Sequence, residues 1–123
     1  MALILIVEDY PSLQKIYSIA VQQAGHQFML AKNGTEALWR ATEHTPDLIL
    51  LDLLMPEVNG IEFLRKFDLK KHPQTKVIVF TNMDNPILRT ELSALGVNLY
   101  LTKSEYTPKE LMKIVDSTLK GSS

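Results

Sequence analysis

The sequence has no cysteine, so disulfides and thiolate chemistry are excluded. It has no long hydrophobic run either. The longest stretch, Met1 to Val7, is far too short to cross a bilayer, and it lacks the basic flank and small-residue cleavage site of a secretory signal. Neither sign of charge is in excess, with Lys+Arg 13 against Asp+Glu 14 and a net charge of −1. A nucleic-acid or membrane surface usually calls for a clustered basic excess, so neither partner is expected. Repeats and low-complexity segments are also missing. What remains is a chain of 123 residues, 46% hydrophobic and 22% charged, which suits one globular domain with a real core. A soluble, cytoplasmic protein is the expectation. Residues 1–120 read as the domain, and Gly121-Ser122-Ser123 as a tail or the remnant of a linker.

Five short apolar runs alternate with stretches of helical periodicity. The runs are Leu3 to Val7, Gln27 to Ala31, Leu48 to Leu51, Val77 to Phe80 and Asn98 to Leu101. The first, third and fourth are continuously apolar, as strands are when helices cover both faces of a parallel sheet. The second and fifth are mixed and read as edge strands. Helices are predicted over Pro11 to Ala24, Asn33 to His44, Gly60 to His72 and Asn85 to Leu95, with a last one from Thr107 to about Lys120. The first carries Leu13, Ile16, Tyr17, Ala20 and Val21 on one face, and Pro11 suits its first turn, where a missing N–H costs nothing. This is a (βα)5 pattern: an α/β, doubly wound, flavodoxin-like fold with a five-stranded parallel sheet in the order 2-1-3-4-5.

In such a sheet, ligands bind beyond the carboxyl ends of the strands. The first strand ends in Glu8-Asp9, the third in Asp52 and the fourth in Thr81-Asn82, while the fifth leads to Lys103. One cleft thus gathers three carboxylates, a hydroxyl and an ammonium. Each pair of carboxylates at contact distance repels by roughly 1–4 kcal/mol, which a divalent cation would relieve. All-oxygen ligands point to Mg²⁺ rather than zinc. A carboxylate beside Mg²⁺ can act as a nucleophile toward a phosphoryl donor, with Lys103 and Thr81 stabilising the transferring oxygens.

These residues resemble the response-regulator receiver domains of two-component signalling, the superfamily of CheY. The resemblance rests on Ile4-Leu5-Ile6-Val7-Glu8-Asp9, the run from Pro46 to Gly60 that contains Asp52, Val77-Ile78-Val79-Phe80-Thr81, and Tyr100-Leu101-Thr102-Lys103, in that order. It implies a regulatory phosphoprotein rather than an enzyme. Asp52 is then the phosphoacceptor, and Glu8, Asp9, Asp52 and the backbone carbonyl of Leu54 are the Mg²⁺ ligands. Thr81 and Lys103 contact the phosphoryl group, and Tyr100 matches the aromatic that moves with Thr81. Met55-Pro56 and Gly60 match the loop that follows the acceptor. The implied donor is a sensor histidine kinase or phosphotransfer protein. The implied target of the output is a downstream protein or an output domain, and a homodimer stays open.

Two departures and two variable positions matter. Asn82 follows Thr81 where a small residue is usual, and crowds the path to Asp52. Ser104 follows Lys103 where the family has proline, commonly cis; a cis bond before a non-proline residue costs about 2.5–4 kcal/mol, which weighs against that geometry here. Leu54 and Met83 occupy positions that tune phosphoryl lifetime, and two apolar side chains there would shield an acyl phosphate from water. His26, His44 and His72 read as solvated, as does the basic face of Arg65, Lys66, Lys70 and Lys71. Trp39 reads as packed or half-exposed.

Rival readings are a receiver-like interaction module that is not phosphorylated, a Mg²⁺-dependent aspartyl phosphohydrolase, and a flavin or nucleotide binder. The hydrolase would need an acid two residues after its nucleophile, and that position holds Leu54. The nucleotide binder would need a hydroxyl- or glycine-rich first loop, and that loop reads Glu8-Asp9-Tyr10-Pro11.

Overall fold

Apolar runs buried on both faces make the centre of the sheet. In the computed structural model, which describes residues 1–54, 59–83 and 85–121, β1 (Leu3–Val7), β3 (Leu48–Leu51) and β4 (Lys76–Thr81) lie inside, flanked by β2 (Gln27–Ala31) and β5 (Leu99–Thr102). All pairings are parallel, in the order β2-β1-β3-β4-β5, as the sequence implied. The helices are α1 (Pro11–Gln23), α2 (Gly34–Glu43), α3 (Gly60–Phe67), α4 (Pro86–Ala94) and α5 (Pro108–Leu119).

Strand residues alternate between two cores, because successive side chains leave opposite faces of a sheet. Ile4, Ile6, Leu48, Leu50, Ile78, Phe80 and Leu101 meet Tyr17 and Val21 of α1 and Leu111 and Val115 of α5. Leu5, Val7, Ile49, Leu51, Val77 and Val79 meet Ala37 of α2, Phe63 and Phe67 of α3, and Leu92 of α4. The helix starts follow capping chemistry. Asn33, Asn59 and Asn85 accept backbone N–H groups of the first turns of α2, α3 and α4, and Thr107 with Glu110 closes a reciprocal capping box on α5.

Some expectations fail in instructive ways. The third helix ends at Phe67, not at His72. Asp68 adopts φ 59, its Oδ1 takes the Lys70 N–H at 3.2 Å, and a 3-10 turn (Leu69–Lys71) follows. Asp tolerates this left-handed conformation better than most residues, and the break turns Leu69 into the core. Two of the three histidines are not solvated. His26 accepts the Ala2 N–H on Nδ1 (3.1 Å), so Nε2 carries the proton that it shares with Asp116 at 2.7 Å. His72 stacks on Phe67, centroids 3.9 Å apart. His44 is exposed, as are Arg65, Lys66, Lys70 and Lys71. Ile16 is 45% exposed and lies outside the α1 core face, and Trp39 is exposed. No cis peptide bond occurs among the described residues, so Lys103-Ser104 is trans and opens a 3-10 turn (Lys103–Glu105). No helix among the described residues is long and apolar enough to cross a membrane.

Candidate functional site

The register brings the strand ends level. Val7 pairs with Leu51, and the Asp52 N–H continues that ladder to the Val7 carbonyl at 3.1 Å. Glu8 and Asp52 therefore emerge side by side from β1 and β3. Both continue the alternation of Ile6 and Leu50, toward the layer of α1 and α5. Thr81 pairs with Thr102, so Lys103 leaves β5 one residue beyond that pair. Thr81 itself belongs to the opposite phase, that of Val79.

This phase explains who meets whom. The Lys103 Nζ donates to Glu8 Oε1 at 2.5 Å and to Asp52 Oδ2 at 3.1 Å. Carboxylate oxygens of Glu8, Asp9 and Asp52 lie within 4.8 Å of one another. Glu8 is only 2% exposed and Asp52 9%. The Glu8 carboxylate also accepts the Tyr10 N–H at 3.2 Å, and Asp52 Oδ1 accepts the Leu54 N–H at 3.2 Å. The Thr81 hydroxyl, by contrast, is buried and accepts the Met83 N–H at 3.3 Å, with no hydrogen bond to Asp52 or Lys103. The Met83 carbonyl in turn accepts the hydroxyl of half-buried Tyr100, whose ring lies under the Arg89 guanidinium at 4.3 Å.

Burial pushes the Glu8 carboxyl above its ordinary pKa, and the Lys103 ammonium only partly offsets this. Burial pulls the other way on Lys103, but its bond to Glu8 and the charge of Asp52 outweigh it, so its pKa is raised. Three carboxylates against one ammonium leave a local excess of negative charge. That excess, and an all-oxygen donor set, fit a hard divalent cation such as Mg²⁺.

Over these groups lies an open cleft of about 380 Å³. Its walls include Asp9, Asp52, Lys103 and Asn82, with Tyr10, Leu13 and Leu54 as an apolar rim. Leu54 is 55% exposed, whereas Met83 is half-buried against the α2–α4 core. Met55 and Pro56 lie outside the described residues. Gly60 packs its backbone against Asp52 and Leu53.

Two neighbours were not singled out from sequence as site residues. The Gln14 amide donates to the Glu8 carbonyl at 2.6 Å, fixing α1 to the end of β1. Tyr17 sits behind Glu8 and Asp52, edge-on to Phe80 at 5.5 Å, and burial raises its pKa. Its apolar periodicity marked it as core but gave no sign of its place beneath the carboxylates.

A family profile described as the response regulator receiver domain matches residues 4–116. The chain belongs to this family. Protein PilH of Pseudomonas aeruginosa is 32% identical over 98% of this chain and all of its own length. The transcriptional regulatory protein YkoG of Bacillus subtilis is 32% identical over 95% of this chain, which spans only 50% of that relative. The chemotaxis protein CheY4 of Vibrio cholerae superposes with a TM-score of 0.85 at 30% identity, covering 94% of this chain and 97% of that one. The chain is thus a receiver domain of two-component response regulators, a regulatory family, and it matches relatives of its own length as well as relatives about twice its length.

Proposed function

We propose that this receiver domain is a phosphoacceptor switch in which Asp52 takes a phosphoryl group from the phosphohistidine of a sensor histidine kinase or phosphotransfer protein. The reading is carried by one observation: Asp52 is a nearly buried carboxylate shared between an acidic trio and the Lys103 ammonium, at the floor of an open cleft. An Asp52 oxygen forms the new P–O bond as the P–N bond breaks, its electron pair staying on the imidazole. Glu8, Asp9, Asp52 and the Leu54 carbonyl would hold Mg²⁺, which supplies charge neutralisation at the transferring oxygens. Lys103 stays charged throughout and turns toward the phosphoryl oxygens. Thr81 joins them by giving up the Met83 N–H. Because Met83 also holds the Tyr100 hydroxyl, that exchange would be felt at Tyr100 and so on the face of α4, β5 and α5. The output is altered binding to a downstream protein or to an output domain, within the cytoplasm. Residues 1–120 form the receiver unit in this reading, with 121–123 a tail or linker remnant.

Intact-protein mass spectrometry after incubation with acetyl phosphate tests the reading. One phosphoryl adduct is expected, dependent on Mg²⁺ and absent from Asp52→Asn; an adduct that survives in Asp52→Asn rules it out. Exposed Leu54 shields the acyl phosphate from water. Leu54→Asn is therefore expected to speed loss of the adduct by about tenfold, which is ~1.4 kcal/mol of barrier. Equal decay rates would remove that role.

A further inference from the structure

The two residues that set this chain apart near the acceptor meet each other. The Ser104 N–H, which a proline would not offer, donates to Asn82 Oδ1 at 2.9 Å. The bond joins the segment after β4 to the segment after β5, 22 residues away in sequence. Each end adjoins a residue of the site, Asn82 following Thr81 and Ser104 following Lys103. Asn82 and Lys103 both wall the cleft above Asp52. Both Asn82 and Ser104 are exposed, so the bond contributes nothing to core packing.

Its position gives it a consequence. The Thr81 hydroxyl is held by the Met83 N–H, so turning toward Asp52 means giving up that bond and freeing the segment 81–83 that it braces. Asn82 is the middle of that segment and is tied to the loop that carries Lys103. We propose that the Asn82 side chain and the Ser104 N–H form a latch across the cleft, which limits access to Asp52 and makes Thr81 and Lys103 move as one unit. The proposal rests on Asp52 being the phosphoacceptor. A neutral hydrogen bond of ordinary net worth makes the unlatched state about twofold to tenfold rarer. A small donor must wait for that state, whereas a protein donor seated on the rim of Tyr10, Leu13 and Leu54 can offset the cost with its own contacts. Asn82 is in this sense a positioning and specificity-determining residue.

The test combines two readouts on wild type, Asn82→Ala, Ser104→Pro and the double variant: the rate of Asp52 labelling by acetyl phosphate with Mg²⁺, and amide hydrogen exchange at Ser104 wherever that amide exists. Each single variant is expected to label about twofold to tenfold faster, and the double variant no faster than the quicker single, because both remove the same bond. Exchange at Ser104 rises in Asn82→Ala, while Ser104→Ala, which keeps the donor, retains its protection. The latch is overturned if Asn82→Ala accelerates labelling equally in the Ser104→Pro background, since that is crowding alone. Unchanged rates in both singles, or an unprotected Ser104 amide in wild type, overturn it too. No adduct in any chain brings down the acceptor reading and the latch with it; an adduct in wild type with unchanged variants brings down the latch alone.

Discussion

Replacing Lys103 by methionine is expected to destabilise the fold by about 3 kcal/mol at neutral pH without divalent cations. The Lys103 side chain is 13% accessible and its two partners, Glu8 and Asp52, only 3% and 11%, so the variant leaves two shielded carboxylates facing each other and Asp9. Breaking one partner out of a buried pair costs more than the pair was worth, because the remaining charge has been desolvated for nothing. The effect should depend on pH, and its sign follows from Glu8. The folded pKa of Glu8 already lies above its ordinary 4.5, with burial the leading cause and Lys103 opposing it. A raised acid favours folding fully below its unfolded pKa and loses that contribution as pH climbs through the folded value. Without Lys103 the folded value rises further. The Glu8 share of the deficit is therefore smallest below the ordinary pKa of Glu8 and grows toward alkaline pH, while the lost pairing with Asp52 is felt throughout. Urea unfolding in EDTA at about pH 4, below the ordinary pKa of Glu8, and at about pH 8 measures it, as a shift in midpoint at constant slope. Adding Glu8→Gln should recover much of the loss at the higher pH. A deficit equal at both pH values, with no recovery, would mean that the ion pair with Glu8 contributes nothing specific.

The reason such a cluster could be foreseen is that a parallel sheet turns sequence position into spatial position. Once Leu3–Val7 and Leu48–Leu51 are strands, the residue after each must lie at the same edge, and Glu8 and Asp52 need only the register to become neighbours. The same rule located Lys103 and Thr81. It was silent on phase. Whether a side chain at a strand end faces the α1–α5 layer or the α2–α4 layer decides its partners. That is why Lys103 bridges Glu8 and Asp52 while Thr81 binds Met83.

Other features were hidden because the backbone supplies one partner. The Ser104 N–H bonded to Asn82 and the Ala2 N–H on His26 leave no trace in residue type, so Asn82 read as mere bulk and His26 as a surface residue. Asp68 was hidden for another reason. The apolar spacing of Ile61, Phe63, Leu64 and Phe67 marks a helix but not its end, and only the left-handed turn at Asp68 shows that the chain breaks there and that Leu69 reaches the core by that break. Ile16 marks the limit of the helical stripe: it shares the spacing of Leu13 and Tyr17, but it is 45% exposed and stands outside the core that they join.

Gly60 links the fold to the site most directly, and Gly60→Val is expected to damage both. A Cβ there would stand 2.9 Å from Leu53 Cδ2, 3.0 Å from the Asp52 carbonyl oxygen and 3.1 Å from Leu53 Cα. Leu53 Cδ2 can rotate away, but the other two contacts are backbone at the end of β3 and cannot. The N-terminus of α3 must therefore lift off the segment that carries Asp52. Its Phe63, Leu64 and Phe67 anchor it in the core, so the shift cannot be confined to the loop. Overpacking of this kind costs about 1–3 kcal/mol, and the extra methyls of valine place the variant at the upper end. The backbone conformation is not the obstacle, because Gly60 does not have positive φ. Asp52 should lose its alignment with Lys103 at the same time. Equilibrium unfolding is expected to show the full loss. Labelling of Asp52 by acetyl phosphate is expected to slow by about tenfold or more even where the variant remains folded. A variant that is destabilised yet labels at the wild-type rate would show that α3 can yield without moving the acceptor. One that keeps its stability would show that the end of β3 has more freedom than its contacts with Gly60 imply.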